Sequence, residues 1–260
     1  MAGIRIQKLL AEAGVASRRA VEQMVLDGRI TVNRSPVTAL PCFVDPDAGD
    51  QVHVDGQLVR LRGGRCVYFL VNKPRGVVCT QQDPAGRPRV IDLVPGLRQR
   101  VYCVGRLDLD STGLVILTND GPLTQRLTHP RYGVPKTYVV QIDGRLSAEE
   151  VAKLKRGVHL DGRRTGAAAI KVLRRGRDKS LLQVTLTEGR NREIRRILAR
   201  LGHKVRRLKR TAIGPVTDRG LKVGSFRPLR AFEVAKLRRL GAAGPQGGRR
   251  PKPPTRRKNL

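Results

Sequence analysis

The chain has 260 residues, with 53 Lys and Arg against 21 Asp and Glu and a formal net charge of +32. A surplus of that size selects a polyanionic partner, and nucleic acid is favoured over a membrane because no apolar run approaches the ~20 residues that span a bilayer. Four cysteines without a CxxC pair and four scattered histidines give no zinc spacing, and the absence of Trp, with four Phe and four Tyr, argues against a surface of many stacked aromatics.

The N-terminus carries no long apolar core before a small-residue cleavage site, so no signal peptide is expected. Reduced thiols and a cytoplasmic location follow from the cysteine usage. Residues 1–62 read as a small module. Ile6, Leu9, Leu10 and Ala13 recur at helical spacing, and Gly14 is placed to end that helix. Ser17 is a cap for a second helix with Val21, Met24 and Val25 on one face, and Gly28 is its stop signal. Residues 30–33 and 51–54 read as short strands. The module is near neutral, because four aspartates in residues 45–55 offset its arginines. Arg18 and Arg19 are either a solvated helix surface or the face that meets RNA.

Residues 60–65, with Gly63 and Gly64 inside, read as a linker. A second domain is expected over 66–240. Strands are expected at 67–71, 114–117, 138–142, 168–172 and 181–186, and helices at 122–128, 147–156, 191–201 and 231–240. They do not alternate regularly. The fold class is therefore α+β, with a mixed, mostly antiparallel sheet. Residues 241–260, rich in Gly, Pro, Lys and Arg, read as a disordered basic tail.

Three segments carry chemistry. In GRLDLDSTGLVILTNDG, residues 105–121, a polar turn holding Asp108 and Asp110 leads into an apolar strand. A carboxylate that close to a buried strand must be solvated by protein groups or lie at the floor of a cleft. Asp108 is either a turn residue bonded to its own backbone or a nucleophile or base; Asp110, deeper in the turn, fits the first reading better. In residues 186–210, ten Lys and Arg accompany two Glu. Ile194, Ile197, Leu198 and Leu201 form an amphipathic stripe, Asn191 is a plausible cap, and Arg192, Arg196 and Arg200 project away from the stripe toward phosphates. Arg195 borders the stripe and is either a surface arginine or a half-buried one that needs an anion. In PKTYVV, residues 135–140, Tyr138 shares a strand face with Val140 and Ile142; its ring packs in the core or stacks on a splayed base.

These segments, in this order and wording, resemble the pseudouridine synthases, specifically the branch that modifies ribosomal RNA at single sites. VNKPRGVVCT, residues 71–80, resembles that family's first motif, and residues 4–33 resemble the α-L RNA-binding domain of a small-subunit ribosomal protein. The wording of residues 79–95 and 188–196 is similar to the large-subunit branch. The resemblance implies an isomerase that turns uridine into pseudouridine in large-subunit ribosomal RNA, a monomer without metal or other cofactor. It implies Asp108 as the catalytic aspartate, needed ionised, with Arg195 pairing to it. It implies Tyr138 stacking on the flipped uracil and helping remove the proton at carbon 5, Arg106 filling the vacated space, and Ile194 packing near the base. Lys73 matches a position that supports the fold. The small-subunit RNA as target, or a non-catalytic assembly factor, are the competing expectations.

Overall fold

The computed structural model describes residues 3–61, 65–160, 162–165 and 169–241. The linker reading at 60–65 therefore lies partly outside the described residues, and the tail reading at 241–260 almost wholly so.

The N-terminal part opens with β1 (Ile4–Arg5), α1 (Ile6–Glu12) and α2 (Arg18–Leu26). Ser17 Oγ accepts from the Ala20 N–H at 3.1 Å, which satisfies one free donor of α2. At its far end the Arg29 N–H bonds the Met24 carbonyl and the Gly28 N–H that of Val25. Gly28 sits at φ +68°, the left-handed turn that closes a helix in this way and that suits a residue without Cβ. Then come β2 (Ile30–Val32), β3 (Ser35–Pro36), β4 (Phe43–Val44), β5 (Val52–Val54) and β6 (Gln57–Leu58). Four of these form a sheet in the order β3-β2-β5-β6, and β1 pairs with β4. Ile6, Leu9, Leu10, Val21, Val25, Ile30, Val44 and Val52 make a separate apolar core.

The second part contains β7 (Tyr68–Lys73), β8 (Tyr102–Val104), β9 (Thr112–Thr118), α3 (Gly121–Thr128), β10 (Lys136–Asp143), α4 (Ala148–Arg156), β11 (His159–Leu160) and β12 (Arg163–Arg164). It continues through β13 (Ala169–Arg175), β14 (Lys179–Leu186), α5 (Glu193–Arg200), β15 (Val205–Ile213), β16 (Val216–Thr217), β17 (Phe226–Pro228) and α6 (Ala231–Arg239). A nine-stranded sheet runs β13-β14-β10-β15-β9-β7-β17, with β16 against β15 and β8 against β9. Of its pairings β15–β9 is parallel, and the others are antiparallel.

The Leu114–Leu117 run of β9 is apolar because both of its faces are covered. Leu114 and Ile116 pack with Leu123, Leu127 and Leu237 from α3 and α6. Val115 and Leu117 pack on the opposite face with Val71 of β7 and with Val90, Val94 and Val101 from the segment between β7 and β8. The other half of the sheet buries Val140, Ile142, Leu182 and Val184 against Leu154 of α4 and Ile194, Ile197 and Leu198 of α5.

Two expectations need correction. Residues 205–213 were not among the expected strands, yet β15 is central to the sheet. Its Arg206, Arg207, Lys209 and Arg210 mask the β pattern. The sheet accepts them because Arg206 meets Asp143 at 2.7 Å, Lys209 meets Asp218, and Arg210 Nε donates to the Leu114 carbonyl at 2.6 Å. Nor does Asn191 cap α5. Arg192 occupies that position, with φ 46° and ψ 31° and no side-chain cap.

Candidate active site

The loop from Leu107 to Ser111 is pinned at four points. The Leu107 N–H donates to Cys79 Sγ at 3.5 Å, and the Gly76 N–H donates to the Leu109 carbonyl at 2.9 Å. The Ser111 N–H closes a turn onto the Asp108 carbonyl at 3.1 Å. Lys73, wholly buried, donates from Nζ to the carbonyls of Ser111 at 2.8 Å and Pro74 at 2.9 Å. Burial lowers the Lys73 pKa, which the nearby Cys79, Asp110 and Asp108 oppose. Beneath the loop, Gly113 lies against β15 at φ +110°, and a Cβ there would stand 2.2 Å from the Arg210 carbonyl oxygen. No side chain fits that contact, so the strand can enter the sheet there only through glycine.

Opposite the loop stands the start of α5. The Glu193 carboxylate accepts from the Arg190 N–H at 3.1 Å and ties the turn. Burial raises the pKa of Glu193. Arg192, in a left-handed conformation that a non-glycine residue adopts at a cost of about 1 kcal/mol or more, places Nη1 3.4 Å from Asp108 Oδ2 and 3.4 Å from Asp110 Oδ1. One turn further, Arg195 Nη2 lies 3.2 Å from Asp110 Oδ2 and 3.2 Å from Ser111 Oγ, and Nη1 donates to the Val205 carbonyl at 3.3 Å. Burial pulls the Arg195 pKa down, and Asp110 is the first of the groups that oppose it.

The expected Arg195–Asp108 pair is thus replaced. Arg192 and Arg195 are three residues apart, on one helix face. Arg192, in its left-handed conformation, meets both Asp108 and Asp110, and Arg195, more buried, meets Asp110. Asp110 is an ion-pair partner in addition to a turn residue. Arg200, expected to face phosphates, donates to the His159 carbonyl.

A cavity of about 310 Å³ opens between the loop, β10 and α5. Arg106, Asp108, Tyr138, Arg192 and Ile194 all line it. Arg195 does not; it braces the loop from behind. Arg18 and Arg19 lie elsewhere, exposed on α2. A larger cavity of about 510 Å³, between the end of α1 and the start of α3, holds none of these residues. No group of three or more metal-ligating side chains is found among the described residues.

Residues 67–200 match the family described as RNA pseudouridylate synthase. Over 242 residues the chain is 42% identical to the ribosomal large subunit pseudouridine synthase B of Bacillus subtilis (strain 168), covering 92% of this chain and 98% of that relative. The chain belongs to the RNA pseudouridine synthase family. Residues 4–40 of the synthase match the S4 domain. The synthase is also 37% identical over 250 residues to the enzyme of the same name from Shigella flexneri, covering 93% of this chain and 85% of the relative. A solved structure described as a pseudouridylate synthase superposes with a TM-score of 0.66 at 30% identity, covering 90% of this chain and 99% of that one.

Among the other residues of the synthase that line the cavity are Lys136 and Arg210, neither of which was singled out. Lys136 precedes Tyr138 by two positions, so strand alternation puts both on one face. That signal was legible. Burial, reinforced by the Arg210 charge, pulls the Lys136 pKa down to about 8. Arg210 lies opposite Tyr138 in the β10–β15 register, a relation visible only once the strands are paired.

Proposed function

We propose that the synthase isomerises one uridine of large-subunit ribosomal RNA to pseudouridine in this cavity, working as a monomer in the cytoplasm. The observation that carries the reading is the convergence of Asp108, Tyr138, Arg106 and Ile194, drawn from a loop, a strand and a helix, on one cavity. The target follows from relatives named large-subunit enzymes. Four free cysteines suit a reducing compartment.

A stacked base cannot reach the carboxylate, so the nucleotide is flipped out. Arg106, exposed at the rim, takes the space it leaves. Uracil stacks on Tyr138 and packs against Ile194. The N1–C1′ bond then breaks with its electron pair on the base, while the Asp108 carboxylate supports C1′ as nucleophile. The base rotates, carbon 5 bonds C1′ and displaces the carboxylate, Tyr138 assists loss of the carbon 5 proton, and N1 is protonated. Atoms and electrons balance without a cofactor. Arg192 supplies the countercharge to Asp108, and Arg195 fixes the loop through Asp110. Arg18 and Arg19 contact RNA phosphates outside the cavity.

Mass-spectrometric mapping of unmodified large-subunit ribosomal RNA, treated with wild type and with Asp108→Asn, tests the reading. One new pseudouridine made by wild type alone is the expected result. Product on small-subunit RNA instead would overturn the target, and product from the variant would overturn the role of Asp108.

A further inference from the structure

The charges around the cavity do not balance. Of its three carboxylates, Asp108 faces Arg192, Glu188 pairs with Arg190 at 3.0 Å, and Glu193 is tied to the Arg190 backbone. Two cations are left without a carboxylate, Lys136 half-buried and Arg210 buried. Among the described residues Lys136 Nζ has a single acceptor, the Val134 carbonyl at 3.1 Å. Arg210, 3% exposed, donates from Nε to the Leu114 carbonyl, and its Nη2 is buried with no acceptor. Neither forms an ion pair among the described residues. Withdrawing two like charges from water, Arg210 wholly and Lys136 in part, without a counter-ion is unfavourable, and an orphaned guanidinium N–H adds to the penalty. Such an arrangement persists where it answers a charge that arrives with the substrate or develops during reaction.

We propose that Lys136 and Arg210 form an oxyanion-stabilising floor that takes the negative charge of the uracil ring once it has separated from the ribose. This rests on the reading of the cavity given above. When N1–C1′ breaks, the electron pair left on N1 spreads onto the two carbonyl oxygens of the ring. The ring lies on Tyr138, whose strand carries Lys136 two residues earlier and faces Arg210 on β15. Fixed cations there stabilise the separated base more than the neutral bound uridine, which is the condition for accelerating the step. The same oxyanion chemistry could come from an RNA phosphate seated at the floor. The burial of Arg210 and the position of both cations beside Tyr138 favour the base.

Single-turnover kinetics with Lys136→Met on unmodified ribosomal RNA separate these sources. The expected result is a fall of about a hundredfold in the chemical step, with Kd within threefold and an unchanged salt slope. Lys136→Arg restores most of the rate. On RNA carrying 5-fluorouridine, whose ring holds the departing charge better by itself, the deficit in breaking the N1–C1′ bond shrinks to about tenfold or less. A weaker Kd with the salt slope reduced by about one and an unaltered chemical step would mean a phosphate clamp and overturn the proposal. So would equal deficits on uridine and 5-fluorouridine. Arg210→Gln, with its folding checked by thermal unfolding, should repeat the pattern if folded. Wild type inactive on any ribosomal RNA would overturn the proposed function itself, whereas an active wild type matched by an equally fast Lys136→Met overturns only the floor.

Discussion

The two ends of β9 each carry aspartate, and they use it differently. At the C-terminal end Asp120 is nearly enclosed, with a side chain 7% exposed. It caps α3 by accepting from the Leu123 N–H at 2.8 Å and accepts from Tyr68 Oη at 2.8 Å and Arg238 at 2.9 Å. Burial disfavours its charge, yet those donors together hold its pKa below the ordinary aspartate range. At the N-terminal end Asp108 is 28% exposed and, among the described residues, has one ion-pair contact, at 3.4 Å. A carboxylate that accepts from three donors on three elements holds two helices onto a sheet. One held in place mainly through its backbone neighbours, with oxygens open to a cavity, is available for chemistry.

The sharpest way to break this contrast is to remove each charge in turn. Asp108→Asn should lower turnover on the order of 10⁴-fold while the unfolding midpoint stays where it is; a variant that turns over normally would erase the distinction. Gly113→Ala comes next. The new methyl must displace the β15 backbone, so a loss of about 3 kcal/mol or more is expected in urea unfolding. Asp120→Ala should destabilise by about 2–3 kcal/mol, from the lost cap and two orphaned donors, and leave turnover of the folded fraction within a fewfold. Because the folded Asp120 pKa is depressed, its contribution is complete above the unfolded value near 4 and fades as pH falls through the folded one. The stability gap between wild type and Asp120→Asn should therefore narrow below about pH 4, and a gap constant down to pH 2 would contradict the pairing. The smallest effect belongs to Arg192→Ala. Losing the countercharge of Asp108 should slow turnover about tenfold; alanine keeps a Cβ and with it the left-handed strain, so the midpoint of thermal unfolding should move little.

Much of the molecule was legible in its one-dimensional pattern. Helix ends were marked by Ser17 and Gly28, whose side chain or missing side chain acts on backbone groups within four residues. The strands β7, β9, β10, β13 and β14 showed apolar runs or alternation that depends on burial of their own faces. Asp108 stood out because a polar turn abuts a buried strand, and the order of the motifs then pointed to the family. Lys136 could have been added from its spacing to Tyr138.

Other features were decided only in three dimensions. β15 carries four basic residues and is central nonetheless, because partners distant in sequence, Asp143, Asp218 and the Leu114 carbonyl, receive its cations. Which arginine meets which aspartate depended on the left-handed turn at Arg192, which a helical pattern cannot register. The orphaned charge of Arg210 emerged only when β15 was laid parallel to β9 and beside β10. Local sequence determines hydrogen bonding within a few residues and which faces are apolar. Whether a charge is matched depends on groups brought close by the folded sheet, and that long-range pairing is where the chemistry of this site is set.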